Sequence, residues 1–271
     1  MGEFLSDDQR LVFVGGLHRS GTTLLARLLA AHPDATGLYD TGVPEDEGQH
    51  LQDVYPPAKR LGGSGRFALN PTAHRTEDQV GDASTRAQQL WDAWRPYWGD
   101  SDARFLIEKS PPNIVMGRFL QALYPSASFV FIVRHPVTVT LATRKWRRRT
   151  PLPRLMNNWF TAHRTAQLDL PALSRVHLVS YEWLLADPTS TMTGIVDFLD
   201  MPGEIDVSSV DSAGSDRYED QWSALLTKGH RGATKAMALY EQQATTFGYD
   251  LRNLRIAPHE PLIHASGAEL P

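Results

Sequence analysis

A Gly-rich turn wedged between a short apolar strand and a helix constrains this chain more than any other feature. Leu11-Val12-Phe13-Val14 is an apolar run closed by Gly15-Gly16, the pattern of a strand buried on both faces. From Thr22 to Ala31, Leu24, Leu25, Leu28 and Leu29 recur at helical spacing, and His32-Pro33 ends the helix. Between them, Gly16-Leu17-His18-Arg19-Ser20-Gly21-Thr22-Thr23 has the frame Gly-x-x-x-x-Gly-x-Thr. Strand, Gly-rich turn and helix in this order are the context a phosphate-binding loop needs: main-chain N–H groups and the helix N-terminus favour an anion. Arg19 adds a charge-assisted donor, and Thr22 and Thr23 add hydroxyls.

The rest of the chain repeats the alternation. Strands are expected at Arg104–Ile107, Ser128–Val133 and Val176–Ser180, and helices at 84–98, 113–123, from Pro136 to about Trp146, 155–168 and 187–199. Asp187-Pro188 offers a cap and a first-turn proline for the last of these. Ala35 to Val80 is rich in Gly, Pro and Asp without a sustained period, and reads as long loops with short helical pieces. Trp91, Trp94 and Trp98 lie on one face of the 84–98 helix and are expected in the core. Alternating strands and helices imply an α/β fold with a parallel sheet covered on both faces, its ligand beyond the carboxyl ends of the strands. No internal repeat divides the chain, so one domain over residues 1–271 is expected.

Composition removes several classes. The chain has no cysteine, which excludes disulfides and thiolate metal sites. A net charge of −4 gives no footing for general nucleic-acid binding. The first apolar run is too short to span a bilayer and follows acidic residues, so neither a transmembrane segment nor a signal peptide is read, and a cytoplasmic location is the expectation.

Where a nucleotide-triphosphatase loop carries Lys after its second glycine, this chain has Thr22, and the Ser128–Val133 strand ends in Arg134 instead of an acidic metal ligand. Both differences point from metal-triphosphate chemistry toward a metal-free phosphate ester. Ile107-Glu108-Lys109-Ser110-Pro111-Pro112 then sets a cation at a strand end, locked by two prolines.

With these segments in place, the chain resembles the sulfotransferases that use 3′-phosphoadenosine 5′-phosphosulfate (PAPS). Gly16–Leu24 resembles the family's 5′-phosphosulfate loop, and Phe131-Ile132-Val133-Arg134-His135-Pro136 its 3′-phosphate segment. The Glu108-Lys109-Ser110 stretch resembles the Golgi-type carbohydrate and protein-tyrosine branches more than the cytosolic small-molecule branch, because no Thr-His follows Lys109. Ser180-Tyr181-Glu182-Trp183-Leu184 with Asp187-Pro188 resembles a fourth family stretch, and the matches run in family order over roughly residues 11 to 200. The resemblance implies a P-loop-type three-layer α/β/α fold with a central parallel sheet. It implies PAPS as donor, its bisphosphate (PAP) as product and no metal. His18, Arg19, Ser20, Gly21, Thr22 and Thr23 would take the 5′-phosphate and sulfate, Arg134 the 3′-phosphate, and Tyr181 would approach the adenine. Ala142 stands where the family places a Ser eight residues after the arginine, leaving Thr138, Thr140 and Thr143 as candidate substitutes. Lys228-Gly229-His230 is only loosely similar to the family's C-terminal Arg-Lys-Gly.

In-line sulfuryl transfer is catalysed mostly by positioning and electrostatics. Charge grows on the oxygen bridging to the departing nucleotide, and Lys109, assisted by Arg19, is the expected cation. The acceptor must also lose a proton. Glu47 falls where the carbohydrate branch has its Glu, Asp40 where the protein-tyrosine branch has its own, and Glu45 follows Pro44 in the same acidic run, with His50 a further candidate. Arg144-Lys145-Trp146-Arg147-Arg148-Arg149 is either a solvated helix end or a clamp for an acidic acceptor or the nucleotide. The acceptor is a carbohydrate, phenol or peptide tyrosine, and the residues do not choose among them. The competing readings are a P-loop small-molecule kinase using ATP–Mg²⁺ and a non-catalytic nucleotide-binding protein.

Overall fold

Alternate residues along the central strand feed two separate cores. In β1 (Arg10–Gly16), Leu11 and Phe13 enter one apolar cluster and Val12 and Val14 the other. The same alternation holds in β4 (Ser128–Val133): Phe129, Phe131 and Val133 face the first cluster, Val130 and Ile132 the second. With β2 (Ala35–Gly37), β3 (Phe105–Lys109) and β5 (Val176–Ser180), these strands form one five-stranded parallel sheet in the order β2-β3-β1-β4-β5. The structure, a computed structural model, describes residues 5–6, 8–100, 102–211, 216–259 and 261–262.

Helices cover both faces of the sheet, giving the expected three-layer α/β/α architecture. On one face lie α1 (Thr22–Ala30) and α7 (Pro188–Leu199), contributing Leu25, Leu28, Leu29, Met192, Ile195 and Leu199. The other face is packed by α2 (Ala83–Trp94), α3 (Gly117–Leu123), α4 (Pro136–Arg144), α5 (Leu152–Asp169), α8 (Asp216–Thr227) and α9 (Arg231–Thr246). A short helix, α6 (Tyr181–Ala186), starts directly at the end of β5. Asp187 caps α7 as expected, accepting from the Ser190 N–H at 3.0 Å. Trp91, Trp94 and Trp98 are buried, as expected of core residues. No described helix is long and apolar enough to cross a membrane.

The structure departs from the sequence reading in four places. β3 continues through Glu108 and Lys109 to the Ser110 N–H, which donates to Val14 O at 3.2 Å. The helix expected from Asn113 is split into a 3₁₀ turn at Pro111–Val115 and α3 beginning at Gly117. Two adjacent prolines supply no N–H, and the Asn113 side chain is occupied by Val14 O at 3.1 Å. β2 is a three-residue strand inside the stretch expected to be loop, and most of the remainder of that stretch winds through short 3₁₀ turns. Finally, α8 and α9 are helices whose polar composition hid their buried faces, formed by Tyr218 and Trp222 in one and Ala233, Ala236 and Met237 in the other.

Phe129 lies between Phe13 (ring centroids 5.5 Å apart) and Phe131 (5.9 Å), fully buried at the middle of the sheet. Phe129→Ala is expected to lower unfolding free energy by about 3–5 kcal/mol. Urea unfolding would show this as a shifted midpoint with unchanged slope, and a loss below about 1 kcal/mol would contradict the packing described.

Candidate active site

The turn after β1 is shaped by what presses on it. A Cβ at Gly16 would lie 2.6 Å from Ile132 O and 2.7 Å from Ser20 Oγ. Gly21, the residue preceding α1, has φ 102°, and a Cβ there would meet the Tyr181 ring at 2.4 Å. The two glycines of the frame are therefore demanded by β4 and α6, the elements flanking the turn. Ser20 is buried and its hydroxyl donates to Leu17 O at 2.6 Å. It braces the turn from inside and, contrary to the sequence expectation, does not line the cleft. Arg19, in the left-handed region at φ 73°, directs its guanidinium over the ring of Trp146 at 4.9 Å.

Arg134, at the end of β4, meets the same turn. Its Nη1 donates to Arg19 O at 3.1 Å, and its guanidinium sits 3.9 Å from the Tyr181 ring centroid. Tyr181 thus packs against both Gly21 and Arg134. His18, Arg19, Gly21, Thr22, Thr23, Glu45, Glu47, Pro111, Arg134, Trp146 and Tyr181 are among the walls of one cleft of about 240 Å³. An adjoining pocket of about 140 Å³ shares Thr23 and Glu45 with it and adds Lys109 among mostly apolar walls from α1, β2 and β3.

Lys109 turns toward the acidic loop. Its Nζ donates to Glu45 O at 2.7 Å and to Glu47 Oε1 at 3.3 Å, so its ion pair is with Glu47 and not with its neighbour Glu108. Glu47 Oε2 accepts from Gln49 Nε2 and lies 3.6 Å from His50 Nε2. Burial alone would raise the Glu47 pKa, but the His50 hydrogen bond, the Lys109 charge and the Gln49 bond together hold it below the ordinary carboxylate value. Glu47 is therefore ionised at neutral pH. Burial pulls His18 down to about 4, against the attraction of Glu47, so its imidazole is neutral.

Glu45 is exposed and accepts from Thr23 Oγ1 at 3.3 Å. It and Asp46 take left-handed backbone angles (φ 56° and 49°), and Asp46 is held by the N–H (3.1 Å) and hydroxyl (2.6 Å) of Thr41. Asp40 is exposed and lines neither the cleft nor the adjoining pocket, so the structure does not bring this expected carboxylate to the site. Thr138, Thr140 and Thr143 are buried within α4 and line neither pocket. Lys228-Gly229-His230 joins α8 to α9, where His230 Nδ1 caps the latter; Gly229 lines a separate surface groove.

Two residues matter here that sequence reasoning passed over. Gln49 grips Glu47. Glu108 is wholly buried, accepting from Ser110 Oγ at 2.6 Å and from Asn113 Nδ2 at 2.7 Å. Burial pushes its pKa up to about 7, although Ser110, Asn113 and Lys109 act to lower it. The signal was present: Glu108 directly follows the apolar run Phe105-Leu106-Ile107 of β3, and a buried carboxylate there needs dedicated donors.

A sequence profile of the sulfotransferase family matches residues 12–205. The chain belongs to the sulfotransferase family. It is 26% identical to protein-tyrosine sulfotransferase 1 of Danio rerio over 72% of this chain and 54% of that protein. It is 30% identical to protein-tyrosine sulfotransferase 2 of Gallus gallus over 48% of this chain and 32% of that protein. The chain thus spans between about a third and a half of the length of these relatives. Among solved structures, the sulfotransferase domain of the Synechococcus PCC 7002 olefin synthase shares the fold, with a TM-score of 0.51 at 23% identity over 79% of this chain and 89% of that domain. The matched region contains every cleft residue named above.

The raised Glu108 pKa makes a prediction about stability. Between its ordinary value of 4.5 and about 7, native Glu108 keeps a proton that the unfolded chain has released. Its contribution to stability is therefore complete below pH 4.5 and is lost as pH rises through 7. The unfolding free energy of the native chain relative to Glu108→Gln should fall by about 3 kcal/mol between pH 4.5 and pH 8. The buried histidines act in the opposite sense, but they are present in both proteins and cancel in the difference. Urea unfolding at the two pH values measures it, and a pH-independent difference would contradict the burial of this carboxyl.

Proposed function

We propose that this chain transfers a sulfuryl group from PAPS to a hydroxyl or amine of an acceptor. The observation that carries the proposal is that Arg19 and Arg134, the two arginines expected at opposite ends of the donor, wall one cleft together with Glu47, whose ion-pair partner is Lys109. The chemistry of the donor set fits an anionic nucleotide: the N-terminus of α1, two threonines and two arginines wall the cleft, while the Glu47 carboxylate is paired with Lys109.

In this reading the turn from His18 to Thr23 holds the 5′-phosphosulfate, with Ser20 keeping the turn in shape. Arg134 holds the 3′-phosphate without help from α4, since Ala142 has no hydroxyl and the nearby threonines are turned into the core. Tyr181 fixes the Arg134 guanidinium by stacking and borders the base. PAPS supplies the sulfuryl group and leaves as PAP. Lys109 and Arg19 direct N–H donors toward the oxygen on which charge develops. Glu47, ionised and fixed by Lys109 and Gln49, takes the acceptor's proton. Glu45, facing Thr23 at the rim, is the second carboxylate within reach. The adjoining pocket beside Lys109 suits the acceptor, and the curated relatives named as protein-tyrosine sulfotransferases favour a phenolic hydroxyl over a sugar. A kinase reading is disfavoured by Thr22, which stands where a triphosphate loop needs its lysine.

Calorimetry should show PAP binding without Mg²⁺ and no comparable binding of ATP–Mg²⁺; the reverse would end the sulfotransferase reading. Arg134→Ala should weaken PAP by about 1–3 kcal/mol through loss of charged hydrogen bonds, and an unchanged affinity would remove Arg134 from the 3′-phosphate site.

Lys109→Ala should lower turnover far more than PAP affinity. The assay is labelled-sulfate transfer to a panel of phenols, sugars and tyrosine peptides, and undiminished turnover would take Lys109 out of the chemistry.

A further inference from the structure

β3 carries two consecutive charged residues whose side chains leave the strand on opposite faces. Lys109 reaches the acidic loop beside the cleft. Glu108 points the other way, beneath the turn that follows Glu47, where it is fully buried. Both Lys109 contacts are to Glu45 and Glu47, so Glu108 is not the counter-ion of the catalytic lysine. A carboxylate kept in such a place needs another account.

The hydrogen bonds around it run in one direction. The Gln49 N–H donates to Ser110 Oγ at 2.9 Å, so the Ser110 hydroxyl proton goes to Glu108 Oε1 at 2.6 Å. Asn113 Nδ2 donates to Glu108 Oε2 at 2.7 Å. Two donors thus converge on the carboxylate, and only a group with two acceptor oxygens satisfies both. On the facing turn, Gly48 O accepts from Trp94 Nε1 at 3.0 Å. A Cβ at Gly48 would lie 2.5 Å from Glu108 Oε1 and 2.8 Å from that nitrogen. The main chain next to Glu47 is therefore pressed onto Glu108 and tied to it through Ser110. Gln49 then carries the restraint back, with Nε2 on Glu47 Oε2 and Oε1 accepting from the Ala58 N–H at 2.7 Å.

We infer that Glu108 is a positioning residue: through Ser110 and the Gly48–Gln49 main chain it fixes Glu47 against Lys109. The inference rests on the sulfuryl-transfer reading only for what Glu47 does, since the restraint itself is a property of the free protein. Above pH 7, where native Glu108 is ionised, the nearly isosteric Glu108→Gln replaces two acceptor oxygens by one acceptor and one donor, so either Ser110 or Asn113 must face an N–H. Ser110→Ala removes the link from the opposite end and leaves Glu108 in place.

The test combines Glu108→Gln, Ser110→Ala and the double variant. The first readout is ¹³C NMR titration of the Glu47 carboxyl in glutamate-labelled protein, its signal identified by its loss in Glu47→Gln. Glu47 titrates below the ordinary carboxylate value, where Glu108 is protonated, so Ser110→Ala is the variant expected to raise the Glu47 pKa toward that value as the grip of Lys109 and Gln49 loosens. The second readout is acceptor-independent release of labelled sulfate from PAPS. It is expected to fall about tenfold to a hundredfold, with PAP affinity within twofold and the double variant no slower than either single, because all three break one chain. An unchanged Glu47 titration in Ser110→Ala overturns the inference, as do turnover losses that add in the double variant. The titration needs no nucleotide. A native protein that binds no PAP therefore counts against the sulfuryl-transfer reading alone, and Ser110→Ala decides the inference if Glu108→Gln does not fold.

Discussion

Everything at the site depends on β1 being hydrogen-bonded in parallel to β3 on one side and β4 on the other. In that register Val14 lies opposite both Lys109 and Val130, and Gly16 lies opposite Ile132. Three chain segments therefore leave the sheet at one edge: the glycine turn, the Lys109-Ser110 stretch and the Arg134-His135 stretch. A parallel sheet collects such segments at the carboxyl ends of its strands whatever chemistry they carry. Here they carry a glycine turn at a helix N-terminus, a cation beside a carboxylate, and a second cation.

The charges at this edge are arranged as compensated sets. Lys109 is paired with Glu47 and a main-chain oxygen, and Arg134 is held by the Arg19 carbonyl and an aromatic face. Each charge is mostly buried, so each needs its partner for stability as well as for chemistry. Coupling of this kind lets a carboxylate stay ionised in an apolar setting. It also means that the elements behind the site, down to Ser110 and Gly48, share in setting its geometry.

Much of this was legible in the sequence. The buried strands, the glycine frame, Arg19, Lys109 and Arg134 all declared themselves, because each follows a strand whose apolar run is unambiguous. Glu47, Glu45 and Asp40 were recognisable as candidate bases with Glu47 foremost, and tertiary contact adds that Lys109 meets Glu47 and that Asp40 faces solvent. Ser20 was read as a ligand contact because its type suits a phosphate, whereas the closure of the turn on Leu17 O consumes its hydroxyl. β2 has too few residues to show a period, and α8 and α9 bury small or aromatic residues among many polar ones. Glu108 was visible only as a neighbour of Lys109; its partners Ser110, Asn113 and Gln49 come together through strand direction and a glycine contact that no local pattern announces.

The central claim is that one nucleotide spans the glycine turn and Arg134. A crystal structure of the chain with PAP would test it most directly. The account predicts the 5′-phosphate against the main-chain N–H groups of the turn before α1 and the 3′-phosphate on the Arg134 guanidinium. Density for PAP elsewhere on the molecule, or with its 3′-phosphate away from Arg134, would contradict it.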